Sequence, residues 1–316
     1  MQPAECGGGD IVMLDLSGKS AVVTGAGSGI GRGIALAFAR AGADVLCADI
    51  VSRAAEDTAR TARDLGRKST ACVADVRRKP DVVAMAERAT AEYGTLDICV
   101  ANAGIGRGGT VLTMLEADWD AQIDVNLKGV FLTVQACARE MVKHNRGGRI
   151  IAIASLAAER PAPGLFAYCA TKAGVRMMAR CWAQELAAFG ITVNTIGPGL
   201  IDTPLAAGLI GEGEQRVTTE RTVPAGRLGY PEDIGRLACW LASDEAEYVT
   251  GTYNLIDGGL GDRTGLGLDS PHGREQQMIR DARATLSGAA LLELIDQAVG
   301  QRIAEMHRQR AARGLQ

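Results

Sequence analysis

Three residues in the middle of the chain carry groups that can move a proton: the hydroxyl of Ser155, the phenol of Tyr168 and the ammonium of Lys172. Tyr168 and Lys172 are four apart, which on a helix puts both on one face, where the ammonium favours an ionised phenol. Upstream lies a glycine-rich turn, Thr24-Gly25-Ala26-Gly27-Ser28-Gly29-Ile30-Gly31. Between a strand and a helix such a turn lets backbone approach a pyrophosphate, whose charge suits the helix start. Gly25, Gly29 and Gly31 are the residues that allow this approach. A phenol acid/base combined with a dinucleotide turn points to hydride transfer between a nicotinamide and an alcohol or carbonyl.

A phenol acts as a base only when ionised. Its pKa of about 10 must fall by roughly 3 for the phenolate to be abundant at neutral pH, which is about 4 kcal/mol of differential stabilisation. Lys172 and the positive nicotinamide ring are the expected sources. Asp49 ends an apolar run 20 residues after Gly29. A carboxylate there accepts hydrogen bonds from an adenosine ribose and repels a phosphate. With Ser28 and Ile50 standing where a phosphate-binding base would sit, the expected cofactor is NAD rather than NADP. None of His144, His272 and His307 falls in the Ser155 to Lys172 region, which argues against a histidine base and against Ser-His-Asp hydrolysis. The chemistry needs no metal.

These groups need a scaffold. Short apolar runs alternate with helical patterns from Leu16 to about Leu260, the signature of a parallel sheet covered on both faces. The expected fold class is α/β, a doubly wound seven-stranded parallel sheet. Strands are predicted at 21–24, 45–49, 70–74, 98–101, 149–154, 192–196 and 252–256. Helices are predicted at 30–41, 81–92, 118–143, 166–189 and 232–241. The stretch 203–229 is too long for an ordinary connection and reads as a mobile lid. Residues 1–13 read as a flexible leader, 14–261 as the catalytic domain and 262–316 as a helical C-terminal extension. In the extension, apolar residues from Met278 to Met306 recur at helical spacing and Ser287-Gly288 marks a division.

Composition narrows the class further. Lys and Arg total 34 against 37 acidic residues, with no dense basic stripe in the body, so nucleic acid is not an expected partner. No apolar run approaches the roughly 20 residues of a membrane span, and residues 1–13 lack a signal-peptide pattern. The expected location is the cytoplasm. The eight cysteines contain no C-x-x-C pair and read as small core hydrophobes.

Asp75-Val76 closes the third predicted strand and Asn102-Ala103-Gly104 the fourth, both at carboxyl ends where open α/β sheets bind ligands. With the glycine turn, Asp49, Asn126, Ser155, Tyr168-x-x-x-Lys172 and Pro198-Gly199 followed by Thr203, the chain resembles the short-chain dehydrogenase/reductase family over Leu14 to about Gly261. The resemblance implies a Rossmann fold. It implies that Asp75 and Val76 contact the adenine, and that Asn102 and Gly104 support the central strands and cofactor. Asn126 would belong to the active site, and Pro198, Gly199 and Thr203 would flank the nicotinamide. In this reading Tyr168 is the acid/base, Ser155 holds the substrate oxygen and Lys172 holds the nicotinamide ribose. Asn126 positions a water leading from Lys172. Ala101 and Ala154 depart from the common pattern of Asn and Ser, and the extension has no counterpart in it.

Residues facing the substrate are expected at 105–109, 156–158, Leu165, Leu200 and from Leu205 onward. They are mostly small or apolar and suit a secondary alcohol or ketone on a weakly polar skeleton. The alternatives are an NAD(P)H-dependent carbonyl or 3-oxoacyl reductase, and a non-catalytic dinucleotide-sensing protein. The long helices at 118–143 and 166–189 resemble those that build the family's assemblies, so a homotetramer is expected.

Overall fold

The structure is a computed structural model, and it describes residues 14–261, 277–279, 281–283, 285–291, 293–294 and 297. The leader 1–13 and most of the extension, including 262–276 and 298–316, lie outside the described residues. In the extension the described helical residues include 277–279, 281–283 and 288–291, with a turn at Thr285 and Leu286 between them. Of the described residues, 14–210 with 229–257 form one compact unit, and 211–228 with those from 258 onward form a second. Residues 211–228 therefore group with the chain that follows 257.

The first unit is built on seven parallel strands: β1 (Ser20–Thr24), β2 (Asp44–Asp49), β3 (Ser69–Val73), β4 (Ile98–Ala101), β5 (Gly148–Ile153), β6 (Ile191–Pro198) and β7 (Tyr253–Ile256). Their order in the sheet is β3-β2-β1-β4-β5-β6-β7. The strand order reverses between β1 and β4, and at such a switch point the loops beyond the carboxyl ends part to leave a crevice. The seven predicted strands all form, with ends within two residues of those predicted.

Alternate residues of each strand serve opposite faces. Val22, Leu46, Cys99 and Ile150 pack on one side with α3 (Lys79–Tyr93), α5 (Gly129–His144) and α6 (Phe166–Leu186). Val23, Val45, Val100 and Ile151 pack on the other with α1 (Gly29–Arg40) and α9 (Pro231–Ala242). Helices α1 and α9 approach closely because Gly235 lies against Ala37, where a Cβ would come within 2.8 Å of the alanine methyl. Cys47, Cys72, Cys99, Cys137 and Cys239 are buried, as core hydrophobes should be, while Cys181 is exposed.

The structure differs from the sequence reading at two places and adds detail at a third. Helix α2 (Ser52–Asp64) forms where no element was predicted, because it buries only Ala55, Thr58, Ala59 and Ala62, too small to write an apolar stripe. The single helix predicted over 118–143 is instead α4 (Glu116–Gln122), a π-helical turn (Ile123–Lys128) and α5. The stretch 203–229 contains two helices, α7 (Ala207–Ile210) in the first unit and α8 (Gly213–Thr222) in the second. The residues bracketing this excursion are tied together within the first unit, where Gly229 N–H donates to Leu200 O and Asp202 N–H to Gly229 O, each at 2.9 Å.

Candidate active site

The glycine turn joins β1 to α1, and its glycines answer to different neighbours. Gly25 and Gly29 have positive φ, +65° and +51°, a region that side chains rarely adopt. Gly31 has no room: a Cβ there would lie 2.1 Å from Gly25 O and 2.5 Å from Asn102 Nδ2. Asn102, past the end of β4, donates to Thr24 O at 2.8 Å while its own N–H donates to Thr24 Oγ1 at 3.0 Å. It locks β4 to β1 across the switch point, and Ala103 N–H adds a bond to Thr24 Oγ1. Asn102, Ala103 and Gly104 thus border the glycine turn. Thr203 reaches it from the far side, since a Cβ on Gly29 would stand 3.3 Å from the threonine methyl.

At the end of β2 the Asp49 carboxylate accepts the N–H of Gly27 and that of Val51, each at 2.9 Å. The acid therefore sits against the turn and not out in solvent. Asp75, beyond β3, is bound through both oxygens by Arg77, which holds its carboxyl below the usual range. Val76 is buried and bounds Gly129, where a Cβ would be 2.7 Å from its methyl. Backbone N–H groups, a helix start and space that any Cβ would fill make a cradle suited to a dinucleotide pyrophosphate.

Ser155 follows β5 with an extended backbone, and its hydroxyl accepts the Ala157 N–H at 3.1 Å. Tyr168 and Lys172 lie one turn apart on α6. Burial pushes the Tyr168 phenol above its ordinary value of 10, and a hydrogen bond from the Ser155 side chain opposes that rise. Lys172 is 3 % exposed, and burial pushes its ammonium down to about 8. Its Nζ donates to Ile153 O at 2.8 Å and stands 5.6 Å from the centre of the Tyr168 ring. As the four-residue spacing implies, the two side chains share one face of α6. The ammonium lies over the ring and anchors to β5, and the Ser155 side chain opposes the rise that burial imposes on the phenol.

Asn126 is fully buried in the π-helical turn. The wider turn presents its carboxamide to the chain after β4, where Oδ1 accepts Ile105 N–H at 2.8 Å and Nδ2 donates to Ile105 O at 2.9 Å. Such a turn inside an α-helix often marks a functional position. Gly104 faces the gap between the two elements: a Cβ there would be 3.4 Å from Asn126 Oδ1 and 3.6 Å from Lys172 Nζ. Pro198 ends β6, and Gly199 lies so close to Asp257 that a Cβ would meet its side chain at 2.5 Å.

The predicted residues therefore form two adjoining groups at the carboxyl ends of the strands, the cradle and the Ser155–Tyr168–Lys172–Asn126 cluster. Three residues support these groups, of which the sequence reading names only Thr24, as the start of the glycine turn. Thr24 bonds both Asn102 and Ala103; Gln122, fully buried, accepts Arg107 N–H; Thr171 accepts from Asn126. The signal for Thr171 is position alone, inside the Tyr-x-x-x-Lys interval, and Gln122 has none.

A dinucleotide cradle beside a Ser, Tyr and Lys cluster defines a nucleotide-dependent oxidoreductase. A family described as enoyl-(acyl carrier protein) reductase matches residues 25–261. The chain is 40% identical to the 3-oxoacyl-[acyl-carrier-protein] reductase FabG of Thermotoga maritima over 247 residues, 78% of this chain and 99% of that protein. Among solved structures it is similar to a gluconate 5-dehydrogenase from Burkholderia cenocepacia in complex with NADP and tartrate, at 35% identity and TM-score 0.75, covering 79% of this chain and 98% of that one. It is also similar to a 7α-hydroxysteroid dehydrogenase complexed with NADH and an oxo bile acid, at 36% identity and TM-score 0.73, covering 78% and 95%. The chain belongs to the short-chain dehydrogenase/reductase family and is an NAD(P)-dependent oxidoreductase acting between alcohol and carbonyl. No helix among the described residues is long and apolar enough to cross a membrane.

Proposed function

We propose that the protein is an NAD-dependent dehydrogenase interconverting a secondary alcohol and a ketone, with Tyr168 as the acid/base. The observation that carries the choice of NAD is the Asp49 carboxylate bound to the Gly27 amide, a fixed negative charge where NADP would bring its phosphate. When bound, the nicotinamide accepts or gives the hydride and, oxidised, adds positive charge near the phenol.

The chain's own groups divide the remaining work. Ser155 Oγ, already bonded to Ala157 N–H, donates to the substrate oxygen and to the phenol in turn. Tyr168 takes the hydroxyl proton in oxidation and returns it in reduction. Lys172, anchored on Ile153 O, holds the nicotinamide ribose. The space at Gly104 between Lys172 and Asn126 is the start of a proton path to water. The cradle is assigned to Gly25, Ser28, Gly29, Ile30 and Gly31, with Asp49 at the ribose, Asp75 and Val76 at the adenine, and Asn102, Ala103 and Gly104 along its floor. Pro198, Gly199 and Thr203 flank the nicotinamide.

The substrate side is apolar. Leu205 lies 3.7 Å from the position a Cβ on Gly106 would occupy and is 55 % exposed. Gly109 N–H bonds Gly164 O beside Leu165. These surfaces suit a weakly polar ketone. A 3-oxoacyl reductase, the activity named for the FabG relative, is the second reading. We assign the protein to the cytoplasm and its assembly to a homotetramer through α5 and α6.

The test is formation of reduced nicotinamide by the purified full chain with NAD or NADP and a panel of sugar, terpene, steroid and aryl secondary alcohols, Tyr168→Phe being the control. A Tyr168-dependent signal with NAD supports the reading. Activity that survives Tyr168→Phe, or strict NADP dependence, overturns it.

A further inference from the structure

Ser155 and Tyr168 must meet within hydrogen-bonding distance, yet they come from different elements, the end of β5 and the helix α6. Three bonds already fix Ser155: its hydroxyl accepts Ala157 N–H, and its carbonyl accepts Ala158 N–H at 2.8 Å and the Tyr253 phenol, also at 2.8 Å. The Tyr253 bond is the one that comes from afar. Tyr253 opens β7, opposite Thr195 of β6, and its ring lies across Gly197. A Cβ on Gly197 would come within 2.4 Å of the Tyr253 oxygen, so only glycine leaves room for the ring.

Arg176 also lies over the ring, with its guanidinium carbon 4.3 Å from the ring centre. A cation so placed over a phenol is attracted to its face. Arg176 also pairs with Glu159 at 2.9 Å, just beyond the short 3₁₀ turn that Ser155 caps. On α6, Tyr168, Lys172 and Arg176 succeed one another at four-residue intervals and share one face. The same helix therefore presents the acid/base to Ser155 from one end and grips Ser155's support from the other. Burial lifts Tyr253 to about 12, so it remains a protonated donor through any ordinary working pH.

The geometry points to Tyr253, packed against Gly197 and Arg176, as a positioning residue that fixes the Ser155 hydroxyl relative to Tyr168. It touches neither substrate nor cofactor and acts through the Ser155 carbonyl alone. The inference rests on the assignment of Ser155 and Tyr168 as the reacting pair.

Tyr253→Phe removes one oxygen and keeps the ring against Gly197 and Arg176. The expected result is a fall in kcat of about fivefold to tenfold, as for a lost hydrogen bond that aligns a reacting group, with KM for NAD unchanged. Arg176→Met is expected to lower kcat in the same sense, and Arg176→Lys to restore part of it. Hydrogen exchange over 155–159, followed by mass spectrometry of the full chain, gives a readout independent of turnover: the Ala157 amide is expected to exchange faster in Tyr253→Phe. Tyr253→Phe with wild-type kcat beside an inactive Tyr168→Phe overturns this inference and leaves the proposed function standing. Activity in Tyr168→Phe overturns the proposed function, while the exchange data still decide whether Tyr253 holds Ser155. Exchange equal to wild type overturns the inference in either case.

Discussion

The Asp49 carboxylate accepts the Gly27 amide at 2.9 Å, tying the end of β2 to the glycine turn. Its second oxygen takes the Val51 amide, so the charge is held in place by the backbone on two sides. Two like charges about 4 Å apart at a protein surface repel by a few kcal/mol, and one tenfold change in preference needs only about 1.4 kcal/mol. Asp49→Ala is expected to lower the ratio of kcat/KM for NAD over NADP by about tenfold or more. Steady-state kinetics with both cofactors checks it; a ratio equal to wild type would remove Asp49 as the selecting residue.

Gly31 and Gly106 make a matched pair of tests for the cradle. A methyl on Gly31 has Gly25 O at 2.1 Å, and backbone cannot give way as a flexible side chain does. A methyl on Gly106 meets only Leu205, at an ordinary contact distance of 3.7 Å. Gly31→Ala is expected to cost about 1–3 kcal/mol of stability and to weaken cofactor binding, whereas Gly106→Ala leaves stability within about 0.5 kcal/mol. Denaturant titration and cofactor fluorescence separate the two. Equal behaviour of both variants would contradict the close packing at Gly31.

The strands were legible because each is short, apolar and bounded by turn residues, and because alternate residues serve two cores without breaking the run. The cradle and the Ser155, Tyr168 and Lys172 cluster were legible as spaced motifs. What stayed hidden has no apolar pattern. Helix α2 buries alanines and a threonine, and α8 buries none of its residues. The π-helical turn at Ile123–Lys128 differs from its flanking helices by hydrogen bonding alone, which residue type does not encode. Tyr253 is far from Ser155 in sequence, and nothing local to β7 announces that its phenol ends on the Ser155 carbonyl. The anchor of Lys172 stays hidden for a related reason: four-residue spacing places two side chains on one face without saying that the Lys172 tip ends on Ile153 O.

Lys172 gives a pH dependence of stability. Its folded pKa, about 8, lies below the ordinary 10.5, so between these values the unfolded chain binds more protons and stability rises with pH. Below about pH 8 the buried ammonium is a constant penalty, on the order of 3 kcal/mol, offset in part by its bond to Ile153 O. Lys172→Met is expected to abolish turnover yet to gain stability relative to wild type at pH 7, and that relative gain should shrink as pH rises from 8 to 10.5. Paired urea titrations at several pH values measure the difference directly. A gap that does not change with pH would mean that the ammonium is not desolvated.

A groove of about 500 Å³ runs between α5 and α6, and its lining includes Phe131, Val134, Trp182 and Leu186 with Arg139 and Glu185. Phe131 is 39 % exposed, on a helix whose opposite face is deep in the core. Aromatic and arginine side chains together are the composition of an interface centre. If the proposed tetramer is built through these helices, a charge at Phe131 must be desolvated in every copy, at a cost that a four-chain assembly meets repeatedly. Phe131→Glu is expected to shift the mass measured by light scattering from four chains to two or one. The fold survives, because the position faces away from the sheet, and far-ultraviolet dichroism should match wild type. An unchanged assembly mass in a folded Phe131→Glu protein would place the interface elsewhere.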